Sequence, residues 1–430
     1  MTDKDKPVFS GPLAGVRVLD LTRVLAGPWA TQALADMGAE IIKIEQPGSG
    51  DDTRRMGPPF IRDKDTGQDT DAAYFLACNR GKQSVAIDIA TLEGQALVRA
   101  LVAKCDVLVE NFKVGGLVKY GLDFDSLKAE FPDLVYCSIT GFGQTGPYRK
   151  RAGYDYLIQG MGGLMSVTGE RDDRPGAGPQ RTGVALADIM AGMYAALAMV
   201  SALRHRDNGG GGQHIDIGLL DVQVSVLANQ AMNFLTTGVA PKRTGNGHPN
   251  IAPYQSFPAS DGHLILAVGN DAQFMRMVKA MNRSDIGEDP RYLTGALRLK
   301  NSDALIPLMD SITATRTIDE WVRVMEAVDV PCGPINTIDR VFADPQVKAR
   351  GIQMELPHSA AGSVPSVANP IRFSATPVRY RNGPPTLGEH TDAVLQRLLG
   401  ADHQAVRAWS ASQPKEVLAA KPGEVEKERS

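Results

Sequence analysis

The sequence predicts an α/β fold with a large, doubly wound parallel sheet and a smaller, inserted α+β domain. In the first third of the chain, short β-branched and aliphatic runs alternate with segments of helical spacing, which is typical of strand–helix–strand units. After residue 225 the pattern changes to a helix, a polar glycine-rich loop and a mainly helical stretch. The segment VPCGPINT leads back toward ANPIRFS and LGEHTDAVLQRLL, and these last two segments are expected to rejoin the first domain.

The elements of the large domain are expected to alternate along the chain, with glycine or Pro-Gly as stop signals. In order they are the strand GVRVLDLT (Gly15–Thr22), the helix WATQALADMGA, the strand EIIKIEQPG, the strand QSVAIDI, the helix TLEGQALVRALVAK, the strand CDVLVEN, the helix SLKAEF and the strand LVYCSITGFG. Ligands of such sheets bind at the carboxyl ends of the strands. These ends are expected at Leu21–Ala26, Glu45–Asp51, Asn111–Gly116 and Thr140–Pro147.

The common nucleotide-binding fingerprints are absent from these loops. The first strand is followed by TRVLAGPWA, where a dinucleotide site would have GxGxxG, and the chain has no GxxxxGK[ST]. The glycine run Gly209–Gly212 comes before a strand, HIDIGLLD, where a phosphate-binding loop would follow one. We therefore interpret it as a plain loop.

Three regions are expected. Residues 1–225 and 335–400 form the Rossmann-like large domain, residues 226–334 form the small domain, and residues 401–430 form a C-terminal helix and polar tail. Within the small domain we expect a helix at QVSVLANQAMNFLTTG, a loop at KRTGNGHPNIAPYQSF, a strand at GHLILAVGN and helices from Asp271 to about Val330.

Composition excludes several classes of protein. The net charge is -3, so no electrostatic argument favours nucleic acid as a partner. Hydrophobic residues make up 43% and charged residues 22%, as in ordinary globular proteins. The four cysteines are widely spaced without CxxC, and no Cys/His cluster has metal-ligand spacing. With no apolar leader at the start, we expect a cytoplasmic protein with free thiols and no metal.

One carboxylate lies in a long apolar run. Asp188 is the only charged residue in GVALADIMAGMYAALAMV, and the segment extended to Leu203 is long enough to cross a membrane. Its alanine, glycine and methionine content favours instead a buried helix of a globular core, so no membrane is expected as a partner. Asp188 is then either a structural residue at a helix start or a reactive group in a water-poor pocket. The residue pattern alone leaves both open.

Many segments in one order carry a family resemblance. They are LAGVRVLDLTRVLAGP, AEIIKIEQPGSGDDTR, NRGKQSVAIDI, DVLVENF, SITGFGQTGPY, AGYDYLIQGMGGLMSVTG, GVALADIMAGMYA, GQHIDIGLLD, VPCGPIN and LGEHTD. From Pro12 to Leu399 the chain resembles the class III CoA-transferases, the family of formyl-CoA and carnitine CoA-transferases. LTRVLAGP, GPPF, CSITGFGQTGP and APYQSF with GNDAQF most resemble the succinyl-CoA:dicarboxylate enzymes, such as the glutarate transferase.

The resemblance implies a function. It implies transfer of CoA from succinyl-CoA, or a similar acyl-CoA, to a small dicarboxylate such as glutarate. Asp188 would be the nucleophile, forming aspartyl anhydride and aspartyl-CoA thioester intermediates. Coenzyme A would be a cosubstrate, with no tightly bound cofactor, and the protein would be a homodimer of interlocked rings. The CoA contacts implied are Arg23, Val24, Ala26, Ile87, Asp88, Ile89, Ala90, Asn111, Phe112, Lys113, Lys119 and Tyr154.

The chain departs from its relatives at informative positions. Leu25 replaces a glutamine associated with oxalate in formyl-CoA transferase, so oxalate is not the expected acceptor. Gln46 replaces an arginine associated with CoA. The alternative function is that of the 2-methylacyl-CoA racemases, which share the fold. They have a histidine base where this chain has Tyr154, and a tyrosine, titrating at about 10, is a poor base at neutral pH.

The expected chemistry also needs hydrogen-bond donors and a cation. Developing oxyanions are stabilised by backbone NH groups, and the candidate loop is Gly245, Asn246, Gly247 and His248. The second carboxylate of a dicarboxylate needs a cation, preferably a bidentate arginine. The candidates are Arg54, Arg80, Arg151 and Arg243, with His248 as a further donor.

Overall fold

The computed structural model describes residues 10–400, which form two compact units. The strands are β1 Arg17–Asp20, β2 Glu40–Glu45, β3 Phe60–Arg62, β4 Asp69–Ala72, β5 Lys82–Ala86, β6 Val107–Glu110, β7 Val135–Thr140, β8 His214–Gly218, β9 Tyr254–Ala259, β10 Gly262–Ala267, β11 Cys332–Pro334, β12 Gln353–His358 and β13 Gly362–Val367. The helices are α1 Ala26–Asp36, α2 Ala73–Leu76, α3 Leu92–Val102, α4 Phe124–Leu127, α5 Asp155–Met161, α6 Leu164–Val167, α7 Leu186–His205, α8 Leu219–Ser225, α9 Asn229–Thr237, α10 Asp271–Ala280, α11 Ser284–Glu288, α12 Gly295–Lys300, α13 Ser302–Thr313, α14 Ile318–Glu326, α15 Ile338–Ala343, α16 Pro345–Ala349 and α17 Thr391–Leu399.

The larger unit is built on a six-stranded parallel sheet. Its strand order is β5-β2-β1-β6-β7-β8. Numbered within the sheet this is 3-2-1-4-5-6, the order of dinucleotide-binding α/β folds. The chain first adds strands on one side of β1 and then on the other, so the strand order reverses between β1 and β6. The crevice for a ligand is expected outside the carboxyl ends of these two strands.

Alternate residues of the strands bury two separate cores, one on each face of the sheet. Val18, Ile41 and Val107 pack with α1, α7 and α8 on one face. Their neighbours in sequence, including Leu19 and Ile42, pack with α3 and α17 on the other. The large parallel sheet with helices on both faces confirms the α/β class predicted from the alternating pattern.

Helix α7 is a core helix of this unit. Within residues 10–400 it is the one helix long and apolar enough to cross a membrane, as its sequence suggests. Its alanine-rich face lies against α1 and the sheet, with Ala187, Ala191 and Ala195 fully buried. Gly192 permits the close approach, because a Cβ there would lie 2.5 Å from the carbonyl oxygen of Ala26. Small side chains therefore serve helix packing in a protein core.

The smaller unit comprises residues 164–182 and 229–349. A three-stranded antiparallel sheet, in the order β11-β10-β9, packs with its helices around a core that includes Phe257, Phe274 and Trp321. The unit is thus α+β and interrupts the larger one.

Its boundaries differ from those expected from sequence. Residues 164–182 were expected in the large domain but belong to the smaller unit. Within that unit, Arg171 forms an ion pair with Asp303 at 3.1 Å, and Asp172 forms an ion pair with Arg243. Residues 335–349 also belong to the smaller unit, and residues 350–400 belong to the larger one. The C-terminal helix and tail expected at 401–430 lie outside the described residues.

Several elements were not anticipated. The predicted helix QVSVLANQAMNFLTTG is two helices, α8 and α9, separated by Ala228, whose φ of 47° is not helical. Strand β9 begins at Tyr254, inside the segment predicted to be a loop. The hairpins β3–β4 and β12–β13 had no recognised signal, because short strands with few alternating apolar residues resemble loops in a sequence.

The close approach of α1 and α7 gives a stability prediction. Gly192→Ala places a methyl group against the Ala26 carbonyl and the Trp29 side chain, and we expect the free energy of unfolding to fall by about 1–3 kcal/mol. Urea denaturation of the purified variant measures this. The matched control is Gly183→Ala, because a Cβ at Gly183 meets open space. Equal stability of the two variants would contradict the packing argument.

Candidate functional site

The loops after β1 and β6 are joined by a pair of hydrogen bonds where the strand order reverses. The backbone NH of Arg23 donates to Asn111 Oδ1 at 2.9 Å, and Asn111 Nδ2 donates to the Arg23 carbonyl at 2.7 Å. The next residue, Val24, has a φ of 70°, an unfavourable value for a β-branched residue. Its NH donates to Asp51 Oδ1 at 3.2 Å, which helps to hold this conformation. Backbone strain of this kind is often found at binding sites.

A cavity of about 170 Å³ opens beside these loops. Its walls bring together six of the residues that the resemblance implied as CoA contacts, namely Arg23, Ile87, Asp88, Ile89, Ala90 and Phe112. Gln46, which stands where a relative has an arginine, also lines it. The Arg23 guanidinium lies over the Phe112 ring, 5.5 Å from its centroid. The carboxyl ends of β1, β2, β5 and β6 thus contribute to one cavity.

The remaining implied contacts lie elsewhere in the larger unit. Ala26 is buried at the start of α1, against Gly192. Lys113 lines a second cavity, described below. The Lys119 ammonium lies 4.6 Å from the centroid of the Tyr120 ring, and Tyr120 lines the first cavity. Tyr154 is 73% exposed and immediately precedes α5.

Two buried ion pairs lie in the larger unit near the ends of its strands, and one of them, Lys43 with Asp51, lines the first cavity. Lys43 lies 2.9 Å from Asp51, and Lys82 lies 3.2 Å from Asp20, with all four side chains inaccessible to solvent. Burial alone would raise the pKa of Asp51, but Lys43 and the hydrogen bonds from Thr53 outweigh it and lower the pKa to about 2. Within residues 10–400, no cluster of His, Cys, Asp and Glu is arranged to hold a metal ion. The lysines are therefore the counterions of these carboxylates.

Asp188 occupies the first turn of α7, where a second carboxylate caps the helix. Asp155, the first residue of α5, accepts hydrogen bonds from the backbone NH groups of Ala187 at 2.8 Å and Asp188 at 3.3 Å. Gln159 Nε2 donates to the other Asp155 oxygen at 2.7 Å. The cap therefore comes from a neighbouring helix, so Asp188 is not needed as a cap and its side chain is left for another role.

The surroundings of Asp188 favour its neutral form. Burial raises its pKa, the negative charge of Asp155 raises it further, and the result is about 7. None of the residues that the structure describes donates a hydrogen bond to its carboxylate. A carboxylate that is more basic than usual and lacks competing donors is a suitable nucleophile.

Two further residues belong to this site and were missed in the sequence. Tyr74 lies within electrostatic reach of Asp188, since burial and then the Asp188 charge raise the pKa of its phenol, which stays protonated at neutral pH. The charges of Asp155 and Asp51 raise the pKa of the same phenol further. Asp155 is part of the quoted segment AGYDY, but only Tyr154 was considered there. Tyr74 had no signal, because nothing in DAAYFLACNRG marks a tyrosine as functional.

Three of the four candidate arginines already have carboxylate partners. Arg54 is buried and paired with Glu45 and Asp71, at 2.7 and 2.8 Å. Arg80 is buried and paired with Asp36 at 2.6 Å. Arg243 of the smaller unit pairs with Asp172.

Arg151 differs from these three. It is exposed, and its guanidinium lies over the rings of Tyr148 and Phe142, at 4.6 and 5.4 Å from their centroids. Among residues 10–400, no carboxylate pairs with it. It therefore retains its capacity for bidentate binding of an acid.

The candidate glycine loop lies in the smaller unit and lines a polar cavity of about 800 Å³ there. The NH of Gly247 donates to the Thr244 carbonyl, and that of His248 donates to the Tyr254 carbonyl. In the described part of the chain, the NH groups of Gly245 and Asn246 have no acceptor. His248 Nδ1 accepts from the Asn250 NH at 3.1 Å, which leaves Nε2 as the donor of the neutral ring.

Comparisons with known proteins identify the family. The model of CoA-transferase family III matches residues 13–391. The succinate–glutarate CoA-transferase of Agrobacterium fabrum is 51% identical over 394 residues, covering 92% of this chain and 97% of the relative. The mouse succinyl-CoA:glutarate CoA-transferase is 41% identical, covering 92% and 88%.

A solved structure agrees. A CAIB/BAIF family protein from Brucella suis is 50% identical, with a TM-score of 0.81, covering 90% of this chain and all of that one. The chain therefore belongs to CoA-transferase family III and is a CoA-transferase that uses CoA thioesters as substrates.

Proposed function

We propose that this enzyme transfers CoA from succinyl-CoA to glutarate, with Asp188 as the nucleophile. The observation that carries the proposal is the Asp188 carboxylate, which is partly buried, lies at a helix start capped by Asp155 and has a pKa raised to about 7. Glutarate is proposed because the bacterial and mouse relatives are named for it. Leu25, in place of the oxalate-associated glutamine, agrees with an acceptor other than oxalate.

The proposed reaction consists of four acyl exchanges. The Asp188 carboxylate attacks the thioester carbonyl of succinyl-CoA, and CoA thiolate leaves to give a succinyl–aspartyl anhydride. The thiolate attacks the aspartyl carbonyl, succinate leaves, and an aspartyl-CoA thioester remains. Glutarate attacks this thioester and releases CoA thiolate, which then attacks the glutaryl carbonyl of the new anhydride. Glutaryl-CoA and free Asp188 result, with no net proton or ATP consumed.

Neighbouring groups have proposed roles in these steps. The cavity at the ends of β1, β2, β5 and β6 is the proposed CoA site, since Arg23 supplies a cation and Phe112 and Ile87 supply apolar surface. Tyr74, which stays protonated, is the proposed donor to the developing oxyanion. The loop Gly245–His248 stays a prediction for the same role.

We also propose an interlocked-ring homodimer. What supports it is an apolar face of α7 that residues 10–400 leave exposed. Met193 and Tyr194 are each 39% exposed and Leu197 is 63% exposed, on a helix whose opposite face is buried. Packing against a second copy would remove this surface from water.

An exchange assay tests the proposed function. The purified protein is mixed with succinyl-CoA and glutarate, itaconate, mesaconate, malate, oxalate or carnitine, and new acyl-CoA is detected by mass spectrometry. We expect glutaryl-CoA from the wild type and none from Asp188→Ala, with both proteins folded. Normal turnover by the folded variant would contradict the nucleophile. Exchange with none of the acids, together with deuterium uptake at C2 of a 2-methylacyl-CoA, would favour the racemase alternative.

The role of Asp155 gives a pH prediction. Asp188 must be ionised to attack, so kcat should rise from pH 6 to 8 and level off above the raised pKa. Asp155→Asn keeps a side-chain oxygen for the helix cap but removes the negative charge. The pKa of Asp188 should fall, and the acidic limb of the profile should move to lower pH. An unmoved limb, in a variant of unchanged thermal midpoint, would show that the Asp155 charge does not act on Asp188.

Arg151 gives a specificity prediction. We propose that it binds the distal carboxylate of the acceptor, because its guanidinium has no carboxylate partner within residues 10–400. For Arg151→Gln we expect the KM for glutarate to rise about tenfold or more, since a hydrogen bond to a charged group contributes about 1.5–3 kcal/mol. The KM for butyrate, which lacks a second carboxylate, should not change. Arg149→Gln, an exposed neighbour in the same loop, is the control, and equal effects of both variants would exclude Arg151.

A further inference from the structure

A row of hydrogen-bonded side chains crosses three adjacent strands next to the proposed CoA site. Glu110, Ser138 and His214 belong to β6, β7 and β8, and Glu110 lies directly opposite Ser138 in the sheet register. His214 Nε2 lies 2.9 Å from Ser138 Oγ, and the Ser138 hydroxyl lies near enough to the Glu110 carboxylate to lower its pKa. When the Ser138 hydroxyl donates to the Glu110 carboxylate, His214 Nε2 is the donor to Ser138 Oγ. Phe124 stacks on the imidazole at a centroid distance of 4.8 Å and fixes its plane.

The row ends on the loop that follows β6. Glu110 Oε2 accepts a hydrogen bond of 2.7 Å from the backbone NH of Phe112. Between them, Asn111 is bonded to both backbone groups of Arg23. The Glu110 carboxylate therefore holds the loop 111–113 from one side, and the Arg23 backbone holds it from the other. Phe112 lines the first cavity, so the position of this loop shapes its wall.

The burial of Glu110 has no evident structural benefit. Its side chain is 6% exposed and has no ion-pair partner within residues 10–400, unlike the buried carboxylates Asp20 and Asp51 nearby. A buried carboxylate without a cation costs free energy. The hydrogen bond from the Phe112 NH and the nearby Ser138 hydroxyl offset part of this cost of burying the charge. Such an arrangement is expected where the charge serves function.

We propose that Glu110 is a positioning residue that holds the loop 111–113 in its CoA-binding conformation through the Phe112 amide, with Ser138 and His214 orienting its carboxylate. The inference rests on the proposed function, because it assigns this loop to CoA. Glu110 itself does not contact the reacting atoms. It acts through the Phe112 backbone, and the hydrogen bond is charge-assisted only while the carboxylate is ionised.

The protonation state of Glu110 should determine how strongly its carboxylate holds the loop, so this role can be tested by varying the pH. Burial raises its pKa to about 7, although the bonds from Ser138 and Phe112 oppose the rise. Glu110 lines the second cavity, of about 430 Å³, which Lys113 also lines. The other titratable or charged residues that line it are Asp123, Asp125, Tyr136 and His214. Above pH 7 the ionised carboxylate accepts strongly from the Phe112 NH, and below pH 7 the protonated acid accepts weakly. Affinity for CoA should therefore fall on acidification.

Calorimetric titration with free CoA between pH 6.0 and 8.5 tests the proposal. Glu110→Gln mimics the protonated acid at every pH. At pH 8 we expect its Kd for CoA to be about five- to tenfold above that of the wild type, and at pH 6 the two values should converge. Because a phosphate of CoA also titrates near pH 6, the difference between the two proteins, and not the wild-type profile alone, is the measure. Asp125→Asn, which faces the same cavity without touching Phe112, should follow the wild type.

A kinetic readout separates positioning from a general structural defect. The kcat of Glu110→Gln for succinyl-CoA and glutarate should stay within about twofold of the wild type at pH 8, with the acidic limb of kcat, assigned to Asp188, unmoved.

Ser138→Ala removes one donor to the carboxylate, so the pH midpoint of CoA affinity should rise. If Glu110→Gln does not fold, the Ser138→Ala variant by itself tests the proposal. An unchanged Kd in Glu110→Gln, or an unmoved midpoint in Ser138→Ala, would overturn the proposal. Absence of acyl exchange in a wild type that still binds CoA would instead contradict only the proposed function.

Discussion

The capping of α7 by the Asp155 carboxylate, which accepts hydrogen bonds from the amides of Ala187 and Asp188, is the interaction on which the proposed chemistry depends. It satisfies backbone donors that an N-cap residue on the same helix would otherwise satisfy, and Ala185 at that position supplies no side-chain acceptor. The same carboxylate places a negative charge near Asp188 and raises its pKa. One side chain thus positions the proposed nucleophile and makes it more basic.

The buried charges around the crevice fall into two kinds. Lys43 with Asp51 and Lys82 with Asp20 are paired, so each charge is compensated inside the core and the loop after β1 rests on a rigid base. Glu110 and Asp188 have no ion-pair partner in the part of the chain that the structure describes, and both have pKa values raised to about 7. Paired charges hold the backbone in place, whereas the unpaired carboxylates are the groups that can change protonation state under physiological conditions.

The sequence was most informative about elements whose pattern is local. The strands β1, β2 and β6 and the helices α1 and α3 follow from hydrophobic spacing and stop signals, and their alternation predicts the parallel sheet. Asp188 was recognised because a single charge in a long apolar helix is unusual. By contrast, the segment 164–182 joins the smaller unit through ion pairs with residues more than 70 positions away, which no local pattern reveals.

The sequence by itself determined the fold class, the order along the chain of the six strands of the parallel sheet, and the family, because these depend on periodicity and on motifs in a fixed order. It also singled out Asp188 as either structural or reactive. Only the tertiary structure decided which residues contact each candidate. Arg54 and Arg80 are paired with carboxylates in the core, and Asp155 and Tyr74 lie close to Asp188. Glu110 accepts a hydrogen bond from the Phe112 amide. A side chain's charge state and availability depend on which distant residues the fold brings beside it.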